Sequence, residues 1–111
     1  MPAKFEVRKT KSGFVFNLKA PNGKYILSSE VYEDKRSALA GVFSVQTNSA
    51  IEARFEMRRS KKEEPYFVLL AKNGQIIGKS EMYNSMKGCR NGILSCRTFG
   101  PTARTVDLNP E

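Results

Sequence analysis

A serine, a glutamate and a tyrosine recur in the same order at two places in this chain of 111 residues. The two sets are Ser29, Glu30 and Tyr32, and Ser80, Glu81 and Tyr83. On a strand, a glutamate and a tyrosine two residues apart point to the same side. One interpretation is a pair of ligand-binding pockets, each offering a carboxylate and a phenol. The other is structural: the two side chains tie a strand end to a helix start, because a buried tyrosine hydroxyl normally needs a partner.

Most catalytic and metal chemistry is excluded by the composition. The chain contains no histidine, which removes the commonest general base, the usual nucleophile–histidine pairs and most zinc sites. Gly74–Ser80 superficially looks like a phosphate-binding loop, but three residues separate its glycines where that loop needs four. We therefore expect no catalytic residues, no cofactor, no metal site and a protein that is not an enzyme.

Basic side chains form a second candidate site. The formal net charge is +8, which favours an acidic partner. Four of these side chains, Arg8, Lys9, Arg58 and Arg59, predict a sequence-nonspecific surface for nucleic acid or another polyanion. Aromatic residues that could stack bases beside them are Phe14, Tyr25 and Tyr66. The alternative is that positive charge on edge strands prevents sheet-to-sheet aggregation.

The elements that must position these residues belong to a tandem repeat. Residues 3–11, AKFEVRKTK, return as residues 53–61, ARFEMRRSK, and the match continues at an offset of fifty-one. Repeat one spans about 3–50 and repeat two about 53–100. A C-terminal segment, 101–111, follows with an expected short strand at 105–108. Because each repeat alone is too small to bury its faces well, we expect a single domain over 1–111.

Each repeat predicts three strands and a helix. Apolar and charged residues alternate over Phe5–Arg8, which is the pattern of a half-buried strand. Asn22-Gly23 and Asn73-Gly74 predict two-residue type I′ turns between the second and third strands. Asp34 and Ser85 are the expected N-caps of the two helices.

The predicted helices present apolar stripes to the sheet. In the first helix the stripe consists of Ala38, Val42 and Val45, widened by Leu39 and Phe43. Gly41 and Gly92 occupy equivalent mid-helix positions, where glycine costs about 1 kcal/mol relative to alanine. Retention of that cost in both copies indicates close packing of helix on sheet, with a shared ligand contact as the alternative.

Together these elements predict an α+β fold. Two tandem βββα repeats merge into one antiparallel sheet of about six strands, with two helices packed on one face and an internal pseudo-twofold. Such a chain is an internal pseudo-dimer and is expected to be a monomer. No apolar stretch approaches the ~18 residues of a membrane span, so no membrane partner is expected. Cys89 and Cys96 are seven apart, and two reduced thiols fit a cytoplasmic protein.

One strand face differs between the repeats. Val15, Asn17 and Lys19 in repeat one correspond to Tyr66, Val68 and Leu70 in repeat two. The face is therefore apolar only in the second copy. It could bind a protein partner, or it could be covered by Val106 and Leu108 of the C-terminal segment, which is the interpretation we favour.

The combined motifs resemble the YegP-like family of small bacterial proteins, which carry one or two copies of this unit. They appear as Phe55-Glu56-Met57, Asn73-Gly74, Ser80-Glu81-Met82-Tyr83 and Asn91-Gly92-Ile93. The first copy departs from this pattern in its helix, where Ala40-Gly41-Val42 replaces Asn-Gly-Ile. The resemblance implies the α+β fold and brings no established activity, cofactor or site. We expect a small cytoplasmic, non-enzymatic binding or interaction protein, with nucleic-acid binding and protein binding as the two alternatives.

Overall fold

Seven strands form one sheet, and two helices pack against it. The computed structural model describes residues 2–110. The strands are β1 (Lys4–Thr10), β2 (Gly13–Lys19), β3 (Tyr25–Ser28), β4 (Phe55–Arg59), β5 (Pro65–Leu70), β6 (Ile76–Lys79) and β7 (Arg104–Asp107). The helices are α1 (Lys35–Asn48) and α2 (Met86–Phe99), and a 3₁₀ turn, Glu52–Arg54, precedes β4.

The strand order is β4-β5-β6-β3-β2-β1-β7. Each repeat contributes three adjacent strands, and β3 and β6 meet antiparallel at the centre, where Ser28 lies opposite Lys79. The prediction of one merged sheet is confirmed. The sheet has a seventh strand, which begins one residue earlier than expected and runs parallel to β1. It is therefore mostly, and not wholly, antiparallel.

Both helices cover the same face of the sheet. The core contains Phe5, Phe16, Leu18, Leu27, Phe67 and Leu69 from the strands, Val42 and Val45 from α1, and Cys89 and Cys96 from α2. Helix α1 contacts β1 and β2 of its own repeat and β5 and β6 of the other, and α2 contacts β5 and β3. The two repeats therefore share one core. Neither helix has the length and apolar content needed to cross a bilayer.

The apolar stripe of α1 is narrower than predicted. Its buried residues are Ala38, Gly41, Val42, Val45 and Asn48. The prediction that Leu39 and Phe43 widen the stripe is wrong, because these side chains are 40% and 69% exposed. The predicted N-caps are confirmed: Asp34 Oδ1 accepts from Ser37 N at 2.8 Å, and Ser85 Oγ accepts from Gly88 N at 3.0 Å.

The predicted hairpins between the second and third strands of each repeat are confirmed, but their turns are not of type I′. A type I′ turn needs positive φ at both central residues. Gly23 and Gly74 have φ of +89° and +87°, whereas the asparagines before them do not have positive φ. Gly23 N donates to Ala20 O at 2.9 Å, and the ladder shifts register after Leu18. Each connection is thus a type I turn closed by a glycine bulge, to which Asn-Gly is also suited.

Candidate functional site on the open sheet face

The serines of the two Ser-Glu-x-Tyr motifs connect strands. Ser29 Oγ accepts from Phe16 N at 2.9 Å and donates to Glu30 O at 2.7 Å. In repeat two, Ser80 Oγ likewise accepts from Phe67 N at 2.9 Å and donates to Glu81 O at 2.8 Å. Each hydroxyl therefore joins the end of the third strand to the second strand of its repeat. These serines have their hydrogen bonds satisfied inside the fold.

The tyrosines of the same motifs lie between sheet and helix. The Tyr32 ring stacks on Phe16 with ring centroids 6.1 Å apart, and a Cβ on Gly41 would lie 2.5 Å from Tyr32 Oη. The second repeat has the same arrangement in Tyr83, Phe67 and Gly92, where the stacking distance is 6.4 Å and the Cβ distance 2.1 Å. The prediction of close packing at the mid-helix glycines is confirmed. Burial raises the pKa of both phenols, and the carboxylates of Glu30 and Glu81 add to this.

The glutamates of the two motifs are exposed, whereas the tyrosines are partly buried. Glu30 and Glu81 line a groove of about 310 Å³ between β3 and β6. The serine and glutamate of each motif line the central groove, whereas the tyrosine packs between sheet and helix.

The four basic residues singled out from the sequence do not form one surface. Strands β1 and β4 are five positions apart in the sheet, which is about 24 Å. They also run in opposite directions, so Arg8 and Arg58 lie at opposite ends of the sheet. Side chains alternate along a strand, which places Lys9 and Arg59 on the other side from Arg8 and Arg58.

The sheet face that the helices leave uncovered is basic. One row of paired residues crosses the whole sheet on this face: Glu56, Val68, Lys79, Ser28, Asn17, Glu6 and Val106. By the same pairing and alternation, the basic residues of this face are Lys4, Arg8, Lys19, Arg58, Lys79 and Arg104. Its acidic residues are Glu6 and Glu56. We call this surface the open face.

Glu6 is the centre of a polar cluster on the open face. The carboxylate is nearly buried, and Tyr25 Oη donates to it at 3.0 Å. Lys4 Nζ and Lys19 Nζ lie 3.5 and 3.7 Å from Glu6 Oε2. Burial acts to raise the pKa of Glu6, but the Tyr25 hydroxyl and the two ammonium groups together outweigh it and lower the pKa. Glu6 is therefore ionised and neutralised by its neighbours.

A second polar group, Asn17, continues the cluster towards the middle of the sheet. Arg8 Nη2 donates to Asn17 Oδ1 at 3.3 Å, and Asn17 Nδ2 donates to Ser28 Oγ at 2.7 Å. The sequence alone does not reveal this cluster, because its members are separated by up to 24 positions and meet only through strand register. The one usable signal was the polar alternation within β1 and β2.

Two lysine–tyrosine pairs lie on the open face. Lys19 Nζ lies 5.5 Å from the ring centroid of Tyr25, and Lys79 Nζ lies 5.0 Å from that of Tyr66. Tyr25 and Lys79 also line the central groove. Tyr25 is 46% exposed. The sequence had indicated the two tyrosines but not their lysine partners.

The apolar side chains of β5 lie on the open face as the repeat comparison predicted. Val68 is only 1% exposed, and its cross-strand neighbours are Glu56 and Lys79. The prediction that the C-terminal segment covers this face is wrong, because β7 lies beside β1 at the far edge. Leu108, one of the two residues expected to cover it, is 47% exposed.

The cysteines are part of the core. Cys89 and Cys96 are free and buried, and burial raises the pKa of Cys96 to about 12. In the described part of the chain, no three histidine, cysteine, aspartate or glutamate side chains come together as a metal site. The thiols are accordingly packing groups.

Comparison with known proteins identifies the family. A domain of unknown function, DUF1508, matches residues 10–56 and again residues 60–107. The chain belongs to the DUF1508 family. The UPF0339 protein YegP of Yersinia pestis is 50% identical to it over 105 residues, which are 94% of each chain. A UPF0339 protein of Shewanella oneidensis is 48% identical over 94% of this chain and 96% of its own.

Two solved structures of similar proteins share the fold. The solution structure of yegP from E. coli, described as a protein of unknown function, superposes with a TM-score of 0.91 at 39% identity and covers 100% of this chain and 97% of its own. The solution structure of the Shewanella oneidensis UPF0339 protein superposes with a TM-score of 0.90 at 47% identity. It covers 97% of this chain and 92% of its own. The resemblance to YegP-like proteins is thereby confirmed.

Proposed function

We propose that this protein is a non-enzymatic binding protein of the bacterial cytoplasm that takes single-stranded nucleic acid on its open face. The two lysine–tyrosine pairs support this proposal most directly. Single-stranded nucleic acid is bound where a positive surface follows the backbone and aromatic rings stack on the bases. Lys19 with Tyr25, and Lys79 with Tyr66, provide both features beside the central groove.

The charge of the open face supports the same ligand class. Six basic side chains share the face with two carboxylates, and one of these, Glu6, is already neutralised by Lys4 and Lys19. Arg58 holds the other, Glu56, through its Nε at 2.8 Å. The remaining positive charge is available to phosphates. This assignment keeps Arg8 and Arg58 as binding residues and replaces Lys9 and Arg59 with Lys19 and Lys79.

The absence of enzymatic activity is part of the proposal. The side chains of the open face that could act in acid–base chemistry are held in static pairs, as Glu6 is with Tyr25 and the lysines. A general acid–base pair needs two groups with separated pKa values facing one substrate. On this face the pKa of Glu6 is lowered and that of Tyr25 is raised, but the two groups are hydrogen-bonded to each other, and we propose that they serve the structure and not catalysis.

We also propose that the chain acts as a monomer with an internal pseudo-twofold axis at the β3–β6 junction. The helices of each repeat contact strands of the other, so the chain already has the kind of shared core that a dimer of single repeats would build. A nucleic-acid strand would then cross the junction and contact both repeats.

Fluorescence anisotropy of a labelled oligothymidylate, at about 50 and 200 mM salt, tests the proposal. We expect affinity to fall steeply with salt, because binding releases counterions. The double variant Lys19→Ala with Lys79→Ala should weaken binding about tenfold or more at the lower salt. The matched control is Arg36→Ala with Lys87→Ala, which removes the same charge from exposed, equivalent helix positions.

Two results would overturn the proposal. One is equal weakening by the open-face and helix double variants, which would show that only net charge matters. The other is the absence of binding at low salt. Tyr25→Ala separates stacking from charge, and we expect it to cost about 1–3 kcal/mol of binding free energy with an unchanged salt slope.

A further inference from the structure

We propose that the free edge of β4 is a docking site for an extended acidic segment of a partner protein, which would add to the sheet as β7 adds to β1. The first strands of the two repeats, β1 and β4, differ in one respect. Strand β1 is covered by β7, whereas β4 is the last strand at its side of the sheet. The proposal concerns this edge and is independent of nucleic-acid binding on the open face.

The covered edge of β1 shows how such a segment binds. Lys4–Val7 lie parallel to Arg104–Asp107. Val7 O accepts from Leu108 N at 2.8 Å, and Lys9 N donates to Asn109 Oδ1 at 2.9 Å. Under this cover, the side chains of Phe5 and Val7 are 0% exposed.

The edge of β4 presents the equivalent groups without a cover. Phe55 and Met57 correspond to Phe5 and Val7 in the repeat, but they are only partly buried. Ser60 N donates to Glu64 O, and antiparallel ladders alternate. The backbone groups of Met57 and Arg59 therefore point away from β5, towards the free edge, as those of Val7 and Lys9 point to β7.

A groove runs between β4 and α2 beside this edge. It measures about 490 Å³ and its apolar lining comes from Phe55, Met57, Ile93 and Leu94. Leu94 is 58% exposed. A segment paired with β4 would place alternate side chains into this groove, since residues of a strand alternate between its faces.

An unsatisfied donor marks where the segment would enter. In repeat one, Gln46 Nε2 donates to Ala103 O at 3.0 Å, immediately before β7 begins. The equivalent residue in repeat two is Arg97, whose Nε atom is buried and has no hydrogen-bond partner within residues 2–110. A carbonyl in the position that Ala103 takes beside β1 would supply the missing acceptor.

The charges around the groove select the partner. Arg90 and Arg97 line it together with one carboxylate, Glu52. On β4 itself, Arg59 adds a further positive charge, and Arg58 is paired with Glu56. An acidic segment complements this set. A second copy of the chain fits less well, because pairing two β4 edges would bring these arginines together and like charges across a ladder are destabilising.

Nuclear magnetic resonance titration of the full labelled chain with a synthetic peptide tests the proposal. The probe is residues 100–108, GPTARTVDL, carrying Arg104→Glu, added to about 1 mM. We expect saturable shifts over Phe55–Arg59 and Ile93–Arg97, including the Arg97 Nε–H signal. Arg97→Leu should weaken binding about tenfold, whereas Arg97→Gln, which restores the donor of repeat one with the same charge loss, should largely keep it.

A second matched pair of variants checks the groove. Leu94→Lys should weaken binding, and Phe43→Lys, at the same position of the other helix, should not. Absence of saturable shifts, or shifts confined to the β3–β6 groove or to β7, would overturn the proposal. Concentration-dependent shifts of β4 without peptide would identify a second copy as the occupant and would also overturn it.

Discussion

The side chain of Leu27 fills the space that a side chain on Gly78 would need. A Cβ on Gly78 would lie 2.5 Å from Leu27 Cδ2 and 2.6 Å from Leu27 Cγ. The two residues hold the same position in the two repeats and meet at the central β3–β6 junction. Leucine in one copy and glycine in the other fit together, where two leucines would collide and two glycines would leave a void.

Exchanging these two residues tests their fit. Gly78→Leu alone should destabilise the fold by about 1–3 kcal/mol or more through overpacking, and Leu27→Gly alone by about 2–5 kcal/mol through a cavity. The double exchange should recover part of the combined loss. Urea unfolding of the four proteins gives the coupling free energy. Additive losses would contradict the fit.

The shared core predicts that one repeat cannot fold alone as a monomer. A fragment that ends at Asn48 retains α1 but loses the β5 and β6 residues that α1 contacts. We expect it to be unfolded or dimeric. Circular dichroism and sedimentation velocity measure the two properties, and a folded monomeric fragment would be incompatible with a core that depends on both repeats.

The mid-helix glycine of repeat two predicts an inverted response to alanine. In an exposed helix Gly→Ala stabilises by about 1 kcal/mol. Here the added Cβ would lie 2.1 Å from Tyr83 Oη, so Gly92→Ala should lower stability by about 1–3 kcal/mol. Tyr83→Phe removes the hydroxyl and should recover part of this loss in the double variant, as measured by thermal unfolding. A rise in Tm for Gly92→Ala alone would disprove the contact.

The Glu6 cluster predicts a change in acid stability. The pKa of Glu6 is lower in the folded chain than its unfolded value of about 4.3. The stabilisation that ionised Glu6 gives the fold is therefore fully present above a pH of about 4.3. It is lost as the pH falls through the pKa of Glu6 in the folded chain. Glu6→Gln should lower stability by about 1 kcal/mol at neutral pH and flatten the pH dependence below about 4.3. An unchanged acid limb in urea unfolding at several pH values would exclude this role.

Local patterns predicted the parts of the fold that depend on few residues. The N-caps at Asp34 and Ser85 and the hairpins at Gly23 and Gly74 follow from local residue preferences. The turn type was missed because Asn-Gly suits both a type I′ turn and a type I turn with a glycine bulge. The exposure of Phe43 was missed because helical periodicity gives the direction of a stripe and not its width.

Features that depend on strand order could not be predicted in the same way. Arg8 and Arg58 have similar local sequences, and only the five intervening strand pairings place them at opposite ends of the sheet. Lys19 meets Tyr25 through a register shift in the β2–β3 ladder. The strand with which β7 pairs could not be predicted either. No residue of Arg104–Asp107 favours pairing with β1 over pairing with β4.

The pairing of β1 with β7 has a consequence for the order of events during synthesis. It joins segments about 100 residues apart, and β7 is the last of the seven strands to leave the ribosome. Until then the edge of β1 is exposed to other chains, and closing a loop of this length slows folding. We expect the basic side chains Lys4, Arg8 and Lys9 on β1 to repel other nascent copies during this interval, so that their charge protects the strand before β7 covers it.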